Sequence, residues 1–252
     1  MAERRAKPVA RAPARGAARP SSPWGSVRGR AQQREVKREA VLLAAAQLFN
    51  EKGYAASTLD EVAERLKVSK PTVYYYVDSK DRILFECVRT GLDMLKEAIR
   101  EVDRAGGRAI DKLVAAMRKY VEIVTMDFGM CVIRVGEDPL PPERRRELRA
   151  MKAALDREFR ELIRQGIAEG SIAPCDPKIA AFTVAGALSW IGRWYDPKGA
   201  LDPQAIADHC IGLLARGLCK GAAPAANGSA HKAPARRPAP ARRAAARKAH
   251  VT

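Results

Sequence analysis

The chain has 252 residues, of which 47% are hydrophobic and 30% charged, and its formal net charge at pH 7 is +17. This length allows one or two domains, and no apolar run approaches the roughly 20 residues that a membrane span needs. Five cysteines, an odd number without metal-ligand spacing, argue against both a disulfide framework and a zinc site.

The positive charge is concentrated at the two ends of the chain. Residues 1–30 carry eight Lys or Arg and one acid, and residues 220–252 carry eight and no acid, so the ends supply +15 of the charge. Both are rich in Ala, Pro and Arg, a composition that buries too little apolar surface to fold alone. We therefore expect disordered basic segments at 1–33 and 220–252, a head at 34–80 and a body at 81–219.

The head opens with a predicted helix from Arg34 to Lys52, ended by Gly53, which suits a left-handed stop. Next, Thr58 and Glu61 fit a capping box, in which each side chain satisfies a backbone N–H of the first helical turn. Apolar residues then follow at helical spacing: Leu59, Val62, Ala63 and Leu66. This pattern predicts a short amphipathic helix.

A second short helix is predicted after Ser69, whose side chain can cap it, and Pro71 is tolerated in its first turn. Val73 and Val77 should face inward. The outer face is basic, hydroxylated and aromatic, and carries Lys70, Thr72, Tyr74, Tyr75 and Lys80. These residues, together with Thr58 and Ser69, form the candidate DNA-binding set. These groups can donate to phosphate oxygens and reach base edges in a major groove. The alternative is a plain helical hairpin with a solvated basic face.

The run from Gly53 to Lys80 resembles the tetracycline-repressor (TetR) family in its segments STLDEVA and VSKPTVYYYV. The resemblance implies an all-α protein with a three-helix helix-turn-helix head and a helical body for ligand binding and dimerisation. Two positions depart from the family pattern. Lys67 stands where glycine is usual and could add a phosphate contact or alter the turn, and Val77 replaces a larger phenylalanine in the core.

The body is predicted to be helical, which makes about nine helices in all. Apolar periodicity and Gly or Pro stops place its helices at Lys80–Arg104, Ala109–Met126, Glu143–Glu169, Lys178–Tyr195 and Asp202–Leu218. The segment 128–142 is expected to be irregular, and its stretch MCVIRV stays open between a short helix and a buried strand-like turn. The helix 178–195 is apolar almost all round, which predicts burial on every side.

No catalytic group, metal site or cofactor is predicted. His209 is the single histidine between residues 31 and 219, so zinc ligation and Ser-His-Asp chemistry both lack parts. Gly106 and Gly107 form a helix stop and no phosphate-binding loop. An enzyme is therefore the class with least support.

A candidate ligand site is predicted near the end of the apolar helix. Arg193 lies between Trp190 and Trp194, and a guanidinium there needs either a structural carboxylate or an anionic ligand. The string LSWIGRWYDPKG resembles a motif of a TetR branch in which several members answer to coenzyme A thioesters. That resemblance implies an apolar cavity for an acyl group with Arg193 near the polar part. Met94 and Met117 are candidates for its wall.

The sequence thus predicts a homodimeric transcription regulator of the bacterial cytoplasm, associated with the nucleoid and most often a repressor. It should bind near-palindromic double-stranded DNA and be released by a small apolar acid or an acyl-CoA thioester. The rival hypothesis is an architectural, nucleoid-like protein that works through its basic ends. Trimming both ends separates the two, because a repressor keeps its operator preference whereas an architectural protein loses nearly all binding.

Overall fold

The computed structural model describes residues 29–219, and within that range the chain forms nine α-helices and no β-strand. They are α1 (Arg30–Lys52), α2 (Leu59–Leu66), α3 (Lys70–Tyr76), α4 (Lys80–Ala105), α5 (Ala109–Val124), α6 (Asp127–Arg134), α7 (Pro142–Ala168), α8 (Pro177–Trp194) and α9 (Pro203–Leu218). The all-α prediction is confirmed. None of these helices combines the length and apolar character needed to cross a membrane.

The predicted basic segments, 1–33 and 220–252, lie outside the described residues, except for residues 29–33. There the helix begins at Arg30, four residues before the predicted Arg34, so part of the segment 1–33 is helical. Residues 31–33 are Ala and two Gln, which have good intrinsic helix propensity and so favour the extension of the helix.

The head consists of α1, α2 and α3, which pack against one another. The predicted capping box is present: the Thr58 hydroxyl accepts a hydrogen bond from the Glu61 backbone N–H at 3.2 Å, and Glu61 accepts one from the Thr58 N–H at 2.8 Å. Val73 and Val77 are buried, as predicted. Ser69 precedes α3, but its side chain makes no capping bond to the backbone.

The turn between α2 and α3 keeps the left-handed geometry that a glycine would adopt, although the residue is lysine. Lys67 has φ 56° and ψ 45°, and its N–H bonds to the Glu64 carbonyl at 3.0 Å while the Val68 N–H bonds to the Ala63 carbonyl at 3.0 Å. This pair of bonds closes the C-terminus of α2. The departure from the family pattern therefore leaves the turn intact at the cost of a strained backbone angle.

Replacing Lys67 with glycine is expected to raise the free energy of unfolding by about 1 kcal/mol. An L-residue in the left-handed region costs about 1–2 kcal/mol, and glycine relieves that strain. Part of the gain is lost because glycine also raises the conformational entropy of the unfolded chain. Denaturant titration measures the change. Lys67→Ala is the matched control, since it removes the amine and keeps the strain. Equal stability of the glycine and alanine variants would contradict the assignment of strain.

The segment predicted to be irregular contains α6, and its apolar stretch is helical. Gly129 lies within this helix and does not interrupt it. A Cβ added there would fall 1.8 Å from the Ile123 carbonyl oxygen, so the glycine permits close approach of α6 to the end of α5. α6 packs against α1, α4, α5 and α8, at the junction of the head and the body.

The prediction that α8 is buried on every side is wrong for the single chain. Ile179, Phe182 and Trp190 are 65%, 54% and 64% exposed, and Leu213 on α9 is 67% exposed. The inner face of α8, with Val184, packs on α5 and α7. The two last helices thus present a large apolar face that nothing within residues 29–219 covers.

Candidate DNA interface and ligand cavities

The outer face of α3 carries the predicted DNA-binding side chains. Tyr74 and Tyr75 are 52% and 65% exposed, although both are aromatic, because the buried Val73 occupies the inner face. Lys70 is exposed and pairs with Asp60 on α2. That hydrogen bond raises the pKa of the Lys70 amine, so the group stays positively charged at neutral pH.

Three further predicted residues, Thr58, Ser69 and Thr72, are hydroxyl-bearing. The Ser69 Oγ lies 2.8 Å from the Thr72 Oγ1, so these two form one polar spot at the start of α3. Thr58 is committed to the capping box and lies at the start of α2. The structure therefore brings the Ser69 and Thr72 hydroxyls together, while the Thr58 hydroxyl takes part in the capping box of α2.

Lys80 lies at the start of α4, with its Nζ 4.3 Å from the Tyr54 ring centroid and 3.3 Å from the Ala55 carbonyl oxygen. Sequence reasoning missed Arg34, whose guanidinium carbon lies 5.5 Å from the Tyr75 ring centroid. The contact joins a residue near the beginning of α1 to one on α3, about 40 positions later in the sequence, so no local sequence pattern indicates it. Arg34 adds a cation to the same face.

An open cleft of about 620 Å³ separates the end of α1 from the ends of α6 and α8. Arg193 and Trp194 line it, together with Asn50 and Arg134. The Arg134 guanidinium donates to the Gly192 carbonyl at 2.9 Å, to the Asn50 carbonyl at 3.4 Å and to the Tyr195 carbonyl. It thereby ties α6 to both α1 and α8. Sequence reasoning missed this residue.

The Arg193 guanidinium donates to the Arg134 carbonyl oxygen at 3.3 Å and is exposed. Within residues 29–219, no carboxylate lies in ion-pair distance of either arginine, although Asp196 also lines the cleft. The structural carboxylate that was one of the two predicted partners of Arg193 is thus not found in this part of the chain. The cleft therefore offers an anion chiefly the exposed guanidinium of Arg193, because every nitrogen of the Arg134 guanidinium already donates to a carbonyl oxygen.

A second cavity, of about 240 Å³, lies inside the body between α4, α5, α6, α7 and α8. Its wall is mostly apolar and includes Leu95, Ile133 and Phe159, with Ala181 and Ala185 from α8. Apolar cavities of this kind, with few polar groups, are typical of small-molecule sites.

The predicted ligand residues do not all converge on one cavity. Arg193 and Trp194 line the cleft, whereas Trp190 lies on the exposed apolar face of α8. Met117 is fully buried in the core, and Met94 is half-buried against it; neither lines the cleft or the apolar cavity. The side chains that do line the apolar cavity include Tyr120 and Ser189, which the sequence did not single out.

Comparison with known proteins places the chain in a family. A sequence profile described as "Bacterial regulatory proteins, tetR family" matches residues 41–87, and one described as "Tetracyclin repressor-like, C-terminal domain" matches residues 106–218. The HTH-type transcriptional repressor KstR2 of Rhodococcus jostii is 26% identical over 187 residues, 72% of this chain and 91% of the relative. The HTH-type transcriptional activator FasR of Mycolicibacterium smegmatis is 31% identical over 113 residues, 45% of this chain and 51% of the relative.

Solved structures agree. The crystal structure of AibR in complex with isovaleryl coenzyme A and operator DNA is 27% identical, with a TM-score of 0.63, and the match covers 70% of this chain and 97% of AibR. A transcriptional regulator of the TetR/AcrR family from Thermobifida fusca is 30% identical, with a TM-score of 0.56 and coverage of 72% and 97%. These matches confirm a DNA-binding transcription regulator and no enzyme, and they do not favour the architectural alternative. The chain belongs to the tetR family of bacterial transcription regulators.

Proposed function

We propose that the chain is a repressor that binds a near-palindromic operator as a homodimer and leaves it when an acyl-CoA thioester, or a similar apolar acid, binds the body. The observation that carries this proposal is the arrangement of two cavities along α8. Ala181, Ala185 and Ser189 line the apolar cavity at four-residue spacing. Arg193 continues the same helix face one turn further and lines the cleft.

This arrangement suits a ligand that is apolar at one end and anionic at the other. Four helical residues advance about 6 Å along the axis, so Ser189 and Arg193 can meet adjoining parts of one molecule. A guanidinium stays charged and offers a fork of donors to phosphate or carboxylate oxygens. The AibR structure, which holds isovaleryl coenzyme A, is a related example of an acyl thioester bound by this fold.

The proposal also gives the ligand a route to the head. The Gln47 side chain on α1 donates to the Asp127 carboxylate at 2.9 Å, and the Asn50 side chain donates to the Asp127 carbonyl at 2.8 Å. Asp127 begins α6, whose residues Val132 and Ile133 line the apolar cavity. A ligand that displaces α6 therefore acts on α1. The free energy by which it can shift the protein from the DNA-binding to the non-binding conformation is limited to the difference in its affinity for these two conformations.

An operator-release assay tests the function. The purified full-length protein is bound to an operator selected from random duplex DNA, and isovaleryl-, hexanoyl-, octanoyl- and benzoyl-CoA are titrated in. We expect at least one thioester to lower operator affinity about tenfold or more, while free coenzyme A has a smaller effect. If no thioester binds the protein by calorimetry and none releases the DNA, the proposed effector class is wrong.

The proposed site of action follows from the DNA partner: the cytoplasm of a bacterium, on its nucleoid. The proposed DNA contacts are the predicted set on the head, with α3 in the major groove. Dimerisation spaces the two copies of α3 to match half-sites about 34–36 Å apart or multiples of that distance. The basic ends at 1–33 and 220–252 would add sequence-independent attraction to phosphates.

Thr72→Ala is expected to relax sequence preference, whereas Lys80→Ala and Tyr74→Phe should weaken binding to all sequences about equally. Thr72 lies where a short hydroxyl can reach a base edge, and a good base contact is worth about 1–3 kcal/mol. Selection from random duplexes, followed by anisotropy with specific and shuffled DNA, measures both effects. Thr72→Ser is the control, because it keeps the hydroxyl. Unchanged operator binding in both Thr72→Ala and Lys80→Ala would contradict the groove assignment.

A further inference from the structure

The apolar cavity contains one uncharged polar spot, made by two hydroxyl groups. Tyr120 on α5 and Ser189 on α8 both line the cavity, and their oxygens lie 2.7 Å apart. The Tyr120 ring packs edge-on against Phe159, with 6.0 Å between the ring centroids, which fixes the position of the phenol. Burial raises the pKa of Tyr120, so the phenol keeps its proton at neutral pH.

This pair has more hydrogen-bonding capacity than it uses. Two hydroxyls carry two protons, and their mutual hydrogen bond consumes one of them. Within residues 29–219 neither oxygen has a second partner, so one donor and several lone pairs stay available. The charged groups that line the same cavity are already committed: Lys152 pairs with Glu137, and Asp156 pairs with Arg160.

The size of the cavity limits what can reach the hydroxyl pair. Its volume of about 240 Å³ lies below the range usual for drug-sized ligands. An acyl group of about eight to ten non-hydrogen atoms would fill it. A longer acyl group would have to extend out of the cavity past Phe182, a lining residue that is 54% exposed.

We infer that the acyl group of the effector is short and carries an oxygen atom, a hydroxyl or a carbonyl, and that Tyr120 and Ser189 select for it. The inference rests on the proposed function. A pure hydrocarbon group in this cavity leaves a buried hydroxyl proton without an acceptor, or traps a water molecule that must be immobilised. An oxygen on the acyl group satisfies the pair directly.

Matched pairs of thioesters test the inference by calorimetry on the full-length protein. Benzoyl-CoA is compared with 3- and 4-hydroxybenzoyl-CoA, and hexanoyl-CoA with 3- and 5-hydroxyhexanoyl-CoA. In at least one series the oxygenated member should bind about three- to tenfold tighter, the range set by the net worth of one hydrogen bond between neutral groups. Tyr120→Phe and Ser189→Ala should each abolish that preference, read as the ratio of the two dissociation constants, because the oxygenated thioester loses its partner and the parent no longer leaves a hydroxyl unsatisfied.

Thr125→Val is the matched control. Its hydroxyl is part-buried at the end of α5 and bonds to the Val121 and Glu122 carbonyls, away from the cavity, so the preference should survive its removal. Two substitutions at separate helices keep the test valid if one variant fails to fold.

The outcomes separate the two proposals. If thioesters bind but the parent compounds bind as tightly as the oxygenated ones, or if the preference survives both substitutions, the selection by Tyr120 and Ser189 is wrong while the proposed function stands. If no thioester binds, the proposed effector class is wrong, and a comparison of p-cresol with toluene then probes the cavity by itself. Tighter binding of p-cresol that Tyr120→Phe removes would still support the hydroxyl pair, whereas equal binding would overturn it.

Discussion

A chain that carries Ile179→Asp together with Leu213→Asp is expected to be a monomer with an operator affinity lowered by about 100-fold or more. The two side chains are 65% and 67% exposed and line one groove between α8 and α9. A second copy would bury both, and an unpaired carboxylate in that interface is costly. A monomer reads one half-site and loses the high effective concentration of the second head, a factor of about 10² to 10⁴.

Sedimentation velocity at micromolar concentration and anisotropy with the selected operator measure both effects. Met126→Asp is the control: Met126 is also exposed, at 40%, but it occupies the N-cap of α6, where aspartate is a preferred residue. That variant should stay dimeric and keep its operator affinity. Should the double variant sediment as a dimer, the apolar face of α8 and α9 would not be the interface.

The error about α8 shows what a hydrophobic pattern can establish. Its residues are apolar nearly all round, a pattern that predicts burial on every side, yet only the face with Val184 and Leu188 is buried within the chain. Periodicity does not say whether a side chain such as Phe182 is covered by its own chain or by a second copy. Because the inner face packs on α5 and α7 within one chain, the other face stays uncovered within residues 29–219, and we expect a second copy to cover it.

The head could be predicted well because its signals are local. The capping box spans Thr58 and Glu61, three residues apart, and Val73 and Val77 are one helical turn apart. Such contacts follow from helix geometry alone, whatever the rest of the chain does. The side-chain orientation of α3 was therefore predictable, while its contact with Arg34 was not.

The ligand cavities depend on long-range packing, which explains why the predicted ligand set scatters. Helical periodicity places Met117 inward, and it is fully buried, but inward does not mean next to a void. The hydroxyls of Tyr120 and Ser189 come together across 69 positions. Arg134 was hidden for a different reason: Gly129 and the following prolines suggested an irregular segment, whereas the glycine serves the close approach of α6 to α5.

Arg193→Ala is expected to leave operator binding intact and to weaken thioester binding about 10- to 100-fold, the cost of a hydrogen bond to a charged group. The side chain is exposed and makes one hydrogen bond, to the Arg134 carbonyl, so its removal should cost little stability. Release of the operator should therefore require correspondingly more effector. Arg193→Lys should restore part of the effect, because an ammonium keeps the charge and loses the planar fork of donors.

Calorimetry with the thioester that proves active in the release assay measures the loss, and thermal unfolding monitors the fold. Arg164→Ala is the matched control. Arg164 is an exposed arginine of α7 that pairs with Glu161 and does not line the cleft. Its binding and release should equal those of the unmodified protein. If Arg193→Ala unfolds the protein, Arg193 is a structural residue that holds α8 to α6. If it binds the thioester as tightly as the control does, the anionic part of the effector does not lie in the cleft.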